Sequence, residues 1–178
     1  VKAGTQSGLS QENPLYGKVS VIAGKSFTIG DEAQILSDDL LVSAEKDIRF
    51  GDKATLVGAT KGVTVRSSEG SIYMGENLTV SSNSDNSLFE AGKDIVIDRD
   101  ATLNSEKNSV VFSAGQDIKF EEDFTVHGKG FELKAQGSLI VGDRATVQTK
   151  FGKYETGSIE SLPQTSIDVK GDVRFGND

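Results

Sequence analysis

Apolar residues in this chain recur at every second position in short bursts, and the bursts themselves recur through nearly the whole length. The segments VIAGKSFTIGDEAQI (21–35), VSAEKDIRFGDKATL (42–56), FEAGKDIVIDRDATL (89–103), FSAGQDIKFEEDFTV (112–126) and LKAQGSLIVGDRATV (133–147) align without a gap. A further unit, VRSSEGSIYMGENLTV (65–80), aligns with one extra residue near Ser67, which predicts a bulge. The repeat is anchored on Phe27, Ile48, Ile72, Ile95, Ile118, Leu139 and Val173, at spacings of 21, 24, 23, 23, 21 and 34 residues. Two residues after each anchor stand Ile29, Phe50, Met74, Ile97, Phe120, Val141 and Phe175. Four before it stand the mostly small Ala23, Ala44, Ser68, Ala91, Ala114, Ala135 and Val169. The residue between the two apolar columns is polar except at Val96 and Ile140.

Period-2 alternation marks strands with one buried face, and no 3.6-residue period competes with it. Each unit therefore holds three short strands separated by Gly, Asp and Ser corners. Units of like length with like residues in like columns stack one above another, because none can bury its apolar face alone. The predicted fold is all-β, a single-stranded right-handed parallel β-helix of about seven coils of 21–24 residues. Residues 1–16 read as a cap or partial coil, 17–148 as coils 1–6, 149–165 as an inserted loop and 166–178 as an incomplete coil 7. The missing third strand of coil 7 leaves an open edge, to be completed by flanking coils of the same or another chain. The chain reads as a piece of something longer.

Two corners carry a chemical pattern. Ser26, Asp47, Ser71, Asp94, Asp117, Ser138 and Asp172 precede the anchors, and short polar side chains there are suited to binding backbone N–H groups. At the second corner Gly30, Gly51, Gly75, Gly142 and Gly176 align with Asp98 and Glu121. Glycine there predicts positive φ, so coils 4 and 5 are expected to follow a different backbone path.

Composition narrows the function more than the fold. The 178 residues include no Cys, no Trp, one His and one Met. Disulfides, thiolate metal sites and thiol nucleophiles are excluded, and every Ser–His–Asp arrangement would depend on His127, expected at an exposed corner. A net charge of −8 leaves no basic surplus for nucleic acid. No run of 18 apolar residues is present, so direct membrane insertion is not expected.

The sharpest candidate site is acidic. Asp98 and Asp100 in coil 4 align with Glu121 and Asp123 in coil 5, with Arg99 among them. Hard carboxylate oxygens on adjacent coils are the ligand type for Ca²⁺, and paired carboxylates also serve glycoside cleavage. A solvated acidic edge that resists aggregation is the plainer reading, with no cofactor. The insertion at 149–165 carries Phe151 and Tyr154, candidates for holding a protein or glycan partner, or parts of a flap that shields an apolar face. Thr55, Thr79, Thr102, Thr125 and Thr146 form an outward ladder. The neighbouring charged rank of Glu32, Lys53, Asn77, Asp100, Asp123 and Arg144 spoils a flat lattice, so the ladder reads as cross-strand packing. Asn77-Leu78-Thr79 fits a glycosylation pattern that chance also supplies.

The texts AGKDIVIDRDATL (91–103) and SAGQDIKF (113–120) resemble the repeats of filamentous-haemagglutinin-type exoproteins, bacterial surface adhesins exported by two-partner secretion. That resemblance implies a β-helical stalk, a secreted or cell-surface location, and adhesion or toxin display. GVTVRSSEGSIYM (62–74) is more weakly similar to sarcoglycan ectodomain repeats, which implies coils assembled from several chains of an extracellular membrane complex. The reading of the whole is a structural or adhesive stalk segment without catalysis. The alternatives are an ectodomain subunit of that multi-chain kind and a polysaccharide-active β-helix enzyme.

Overall fold

In a computed structural model that describes residues 17–149 and 165–176, the chain is an all-β solenoid of parallel strands without a helix. One face stacks β1 (Lys18–Ala23), β4 (Asp39–Ala44), β7 (Val63–Ser67), β10 (Ser87–Ala91), β12 (Thr102–Ala114), β14 (Thr125–Ala135) and β17 (Thr165–Val169). A separate seven-stranded sheet stacks the short strands β2 (Phe27–Ile29), β5 (Ile48–Phe50), β8 (Ile72–Met74), β11 (Ile95–Ile97), β13 (Ile118–Phe120), β15 (Leu139–Val141) and β18 (Val173–Phe175). The third face stacks β3 (Gln34–Ser37), β6 (Thr55–Gly58), β9 (Thr79–Ser82), the first halves of β12 and β14, and β16 (Thr146–Thr149). Because β12 and β14 run through the third corner without a break, they join the first and third faces into one 11-stranded sheet.

The solenoid amounts to about five turns, fewer than the about seven coils expected. The difference lies at the ends. The interior columns are closed from Leu40 to Leu139, whereas the inward residues of β2 are half-buried and all of β18 is exposed. Phe175 occupies the inward column of Phe50 and Phe120 but is 68% exposed, because among the described residues no strand stacks beyond it.

The periodic columns place the core as expected. Every anchor pairs in register with the anchor above it, from Phe27–Ile48 to Leu139–Val173. Phe112 is the hub of an aromatic cluster: its ring stacks on Phe89 at 5.1 Å and meets Phe120 edge-on at 5.2 Å, with Phe124 and Phe131 at 6.4 and 5.9 Å. Phe124 stands in a column otherwise filled by Ala33, Ala54, Leu78, Ala101 and Ala145, and stacks on Phe120 of its own coil at 4.2 Å. Small neighbours above and below make room for that ring.

Three local expectations change. The extra residue of the third unit lies in the turn at Ser68–Ser71, not in the strand as a bulge, and Ser67 rather than Ser68 joins the alanine column. The wider turn satisfies the buried hydroxyl: Ser67 Oγ donates to the Lys46 carbonyl at 2.7 Å and accepts from the Gly70 N–H at 3.1 Å. His127 is exposed as expected, but it sits within strand β14, paired with Asn104 and Gln148, not at a corner. Positive φ at the second corner falls on Glu32, Lys53, Asn77, Asp100, Asp123 and Arg144, at 55–58°, and not on the aligned glycines apart from Gly176. In that conformation the N–H of each described residue from Glu32 to Asp123 reaches a carbonyl of the next coil, such as Lys53 to Glu76 at 2.7 Å. A hydrogen bond at each coil holds a conformation that L-residues otherwise avoid.

All the larger length changes fall at one place. Across the third corner the chain steps from Ser37 to Leu40, Gly58 to Val63, Ser82 to Ser87, Ser105 to Val110, Gly128 to Phe131 and Thr149 to Thr165. The insertion at 149–165 therefore enters at the corner that also varies in other coils.

Replacing Phe112 by Ala removes the ring that joins four others and is expected to cost about 3–5 kcal/mol in urea unfolding. A loss below about 1 kcal/mol would show that this core is not the cooperative centre of the fold.

Candidate functional site: the two polar corners

At the first corner the short polar residues act between coils. Asp47 Oδ1 accepts the Ser71 N–H at 3.0 Å, and Ser71 Oγ accepts the Asp94 N–H at 3.2 Å. Asp94 Oδ1 accepts from Asp117 at 3.1 Å, Asp117 Oδ1 from Ser138 at 2.6 Å, and Ser138 Oγ from Asp172 at 3.3 Å. The N–H captured belongs to the same position of the next coil, so five rungs form a continuous side-chain ladder up the solenoid. The Ser71 N–H, assisted by the Arg49 guanidinium, holds the Asp47 carboxyl below its ordinary range against the opposing effect of burial.

At the second corner the expected change of backbone path in coils 4 and 5 does not occur. Asp98 and Glu121 donate their N–H groups to Met74 and Ile97 at 2.9 Å, as Gly51, Gly75 and Gly142 donate to Ile29, Phe50 and Phe120. Asp100 and Asp123 keep the same positive φ as their counterparts. At three of the glycines an aspartate lies directly underneath. A Cβ on Gly51 would lie 2.4 Å from Asp31 Oδ1, one on Gly75 2.5 Å from Asp52 Oδ1, and one on Gly176 2.7 Å from Asp143 Oδ1. Asp31 and Asp52 turn those oxygens upward to accept the N–H groups of Asp52 and Glu76 at 3.0 and 2.9 Å. Beneath Asp98 and Glu121 stand the longer Glu76 and Arg99, which pair with each other at 2.7 Å. Backbone of the coil below comes as close, Asp31 N at 2.6 Å from a Cβ on Gly51 and Glu121 C at 2.7 Å from one on Gly142, so glycine at Gly51, Gly75 and Gly142 is required by close approach to the chain beneath it.

The acidic candidates stack on this second corner, but their side chains take separate partners. Asp98 Oδ1 accepts the Arg99 N–H at 2.8 Å, and Glu121 pairs with Lys119 at 2.5 Å. Asp123 accepts a bidentate fork from Arg144, Nε at 2.7 Å and Nη2 at 2.6 Å. Asp100 lies at the left-handed position, where its N–H donates to the Glu122 carbonyl at 3.1 Å. Among the described residues no three His, Cys, Asp or Glu side chains are grouped so as to hold a metal ion. The Arg144 fork holds the Asp123 carboxyl below its usual range and raises the guanidinium further. That shift suits a permanent anion and opposes the proton donor that glycoside cleavage needs. Phe151 and Tyr154 lie outside the described residues.

The threonine ladder is present in register, from Thr55 through Thr79, Thr102 and Thr125 to Thr146, with Gln34 below it. Three features went unread in the sequence. Ser37, Ser82 and Ser105 point inward at the third corner, where Ser82 Oγ meets Ser87 Oγ at 2.9 Å and Ser105 Oγ at 3.1 Å. Alternation flagged the inward phase there, but serine in an apolar column gave no signal of its partner. The Arg49 guanidinium covers the Tyr73 ring at 3.8 Å on the outer face of the seven-stranded sheet. Two shallow grooves of about 390 and 410 Å³ line that face, the larger beside Arg49 and Tyr73 and the smaller beside Lys119 and Arg174.

No family model matches the chain, and no match is found among curated proteins or solved structures. The class is therefore defined by the fold itself, a parallel β-solenoid. Among the described residues no helix is long and apolar enough to cross a membrane.

Two outcomes test the corners. Gly75→Ala is expected to destabilise by about 1–3 kcal/mol through overpacking, whereas Asp98→Gly changes stability by about 1 kcal/mol or less. Equal costs in urea titrations would refute close approach as the reason for glycine. Because Asp47 is more acidic folded than unfolded, its charge stabilises the fold fully above about pH 4, and the benefit fades as pH falls through the folded value. The stability gap between the wild type and Asp47→Asn should close across that window. A gap independent of pH would show that the charge is immaterial.

Proposed function

We propose that this chain is a structural, adhesive stalk segment of a larger secreted or cell-surface protein and performs no catalysis. The observation that supports this reading is the unbroken corner ladder, in which each described coil from Asp47 to Asp172 is tied to the next by the same short side-chain bond. Repeated nearest-neighbour contacts make a rod whose length and stiffness grow with each coil. The third corner gives such a rod a place to carry inserted segments, Phe151 and Tyr154 among them, while the stacked strands keep their register. A protein or glycan surface is the partner in this reading, and nucleic acid is disfavoured by the charge of −8. The resemblance to haemagglutinin-type repeats is consistent with it but adds only likeness of pattern.

A second reading, an ectodomain subunit in a multi-chain extracellular complex, draws on the weaker likeness of residues 62–74 to sarcoglycan ectodomain repeats. A polysaccharide-active enzyme is the third, and the ion-paired state of Asp123 weighs against it.

Beads coated with the chain are expected to be retained on cell or glycan surfaces, with no release of reducing ends from acidic polysaccharides. Turnover abolished by Asp98→Ala or Asp123→Ala would overturn the stalk reading.

A further inference from the structure

Tyr73 is the one Phe, Trp or Tyr among the described residues that stands in an outward column of the solenoid. The described phenylalanines all belong to inward columns. Tyr73 lies half-buried on the outer face of the seven-stranded sheet, between Arg49 and Val96 of the neighbouring coils. It borders the larger groove, of about 410 Å³, a size within the range of about 300–1,000 Å³ for small-ligand clefts.

Three kinds of group line this groove. Tyr73 and Val96 supply apolar surface, and the Tyr73 hydroxyl both donates and accepts. Arg49 supplies donors. Its guanidinium gives one N–H to Asp47 at 3.0 Å and lies 3.8 Å over the Tyr73 ring, so the rest of the fork is held in place before any ligand arrives. Asp31 and Asp98 supply acceptors. Oδ1 of each is committed to a backbone N–H, that of Asp52 at 3.0 Å and that of Arg99 at 2.8 Å, while Oδ2 of each has no hydrogen-bond donor among the described residues. Two carboxylates face one guanidinium that already has its own in Asp47, which leaves no positive charge for an anion. The other cations of this column are neutralised in the same way, Lys119 by Glu121 and Arg174 by Asp172.

We propose that this groove binds a neutral glycan, a short stretch of hexose chain lying along the stack. The inference rests on the stalk reading and deepens it by giving its glycan partner a site on the constant part of the rod, apart from the insertions of the third corner. A sugar ring turns C–H groups toward Tyr73 and Val96. Its hydroxyls, each donor and acceptor at once, meet the Arg49 fork and the carboxylates of Asp31 and Asp98. Those two carboxylates stand three coil steps apart, about 14 Å along the stack, so the groove takes more than one ring. A uronate, sulfate or phosphate would be set against Asp31 and Asp98 and is disfavoured by like charge. The smaller groove beside Lys119 and Arg174 has donors and acceptors but no outward aromatic ring, which makes Arg174 a control.

NMR titration of the isotope-labelled 178-residue chain with neutral tetrasaccharides of glucose, mannose and galactose, and with tetragalacturonate, tests this. Saturable amide shifts at Gly51, Gly75 and Val96 are expected with at least one neutral tetrasaccharide, at a Kd of about 1 mM or below, and none with tetragalacturonate. Tyr73→Ala should weaken that binding by about tenfold or more. Arg49→Lys keeps the charge but loses the planar fork, and should weaken it by about fivefold or more. Arg174→Ala should leave it unchanged, and all three variants should melt as the wild type does. No saturable shift with any neutral tetrasaccharide, tighter binding of tetragalacturonate, or binding that survives Tyr73→Ala would each overturn the proposal. Beads retained equally with and without Tyr73→Ala would remove only this inference, whereas sugar binding in solution without bead retention would remove the adhesive reading and leave the site.

Discussion

Everything in this molecule follows from the spacing at which one parallel coil rests on the next. Backbone hydrogen bonds between coils hold them about 4.8 Å apart, and that distance recurs at every position of the cross-section. A residue is selected less by its neighbours in sequence than by the residue one coil below. Phenylalanine fits at Phe124 because Ala101 and Ala145 leave the room, and the stacked rings of Phe89 and Phe112 sit at the separation that aromatic faces favour. Serines on the inward face at the third corner are tolerated because Ser82 finds Ser87 and Ser105 within hydrogen-bond reach.

The corners obey the same constraint in polar form. Wherever a turn interrupts the strand ladder, an N–H of the next coil has to find another acceptor, and a short side chain one coil below supplies it. Aspartate at the second corner then excludes a Cβ above it, which couples residue choice between coils: Gly51 over Asp31, Gly75 over Asp52, Gly176 over Asp143. Where Glu76 and Arg99 send their charges outward, Asp98 and Glu121 are admitted on an unchanged backbone. The charge of the acidic cluster of coils 4 and 5 is partly balanced by Arg144 and Lys119.

The strand columns were legible in the sequence because side-chain alternation and stacking register are both one-dimensional patterns. The seven anchors and the threonine ladder pair as their spacing implied, and the alanine column does so except that Ser67 takes the place expected of Ser68. Corner geometry was not legible in the same way. Glycine at the start of the second corner suggested positive φ, yet the left-handed residue is two positions on, carrying Glu, Lys, Asn, Asp or Arg. A glycine needed for close approach and one needed for φ look identical in a sequence, and only the residue underneath separates them. Side-chain pairing was hidden for a related reason: Asp123 and Arg144 are 21 residues apart in sequence and neighbours across one coil step.

A solenoid assembled this way separates its mechanical part from its variable part. The first corner is held by a ladder with an acceptor at each step from Asp47 upward, and the seven-stranded sheet beside it keeps its register from Phe27 to Val173. The third corner alternates tight steps, as at Gly128 to Phe131, with longer ones, as at Ser82 to Ser87 and Thr149 to Thr165. The pairing of β14 with both β16 and β17 is kept on either side of the insertion. Loops are cheap to lengthen because closure entropy grows only slowly with their length. A rod with two conserved geometries and one permissive edge can change what it displays without changing what holds it together, and that division makes the third-corner edge the natural carrier of recognition in the stalk reading.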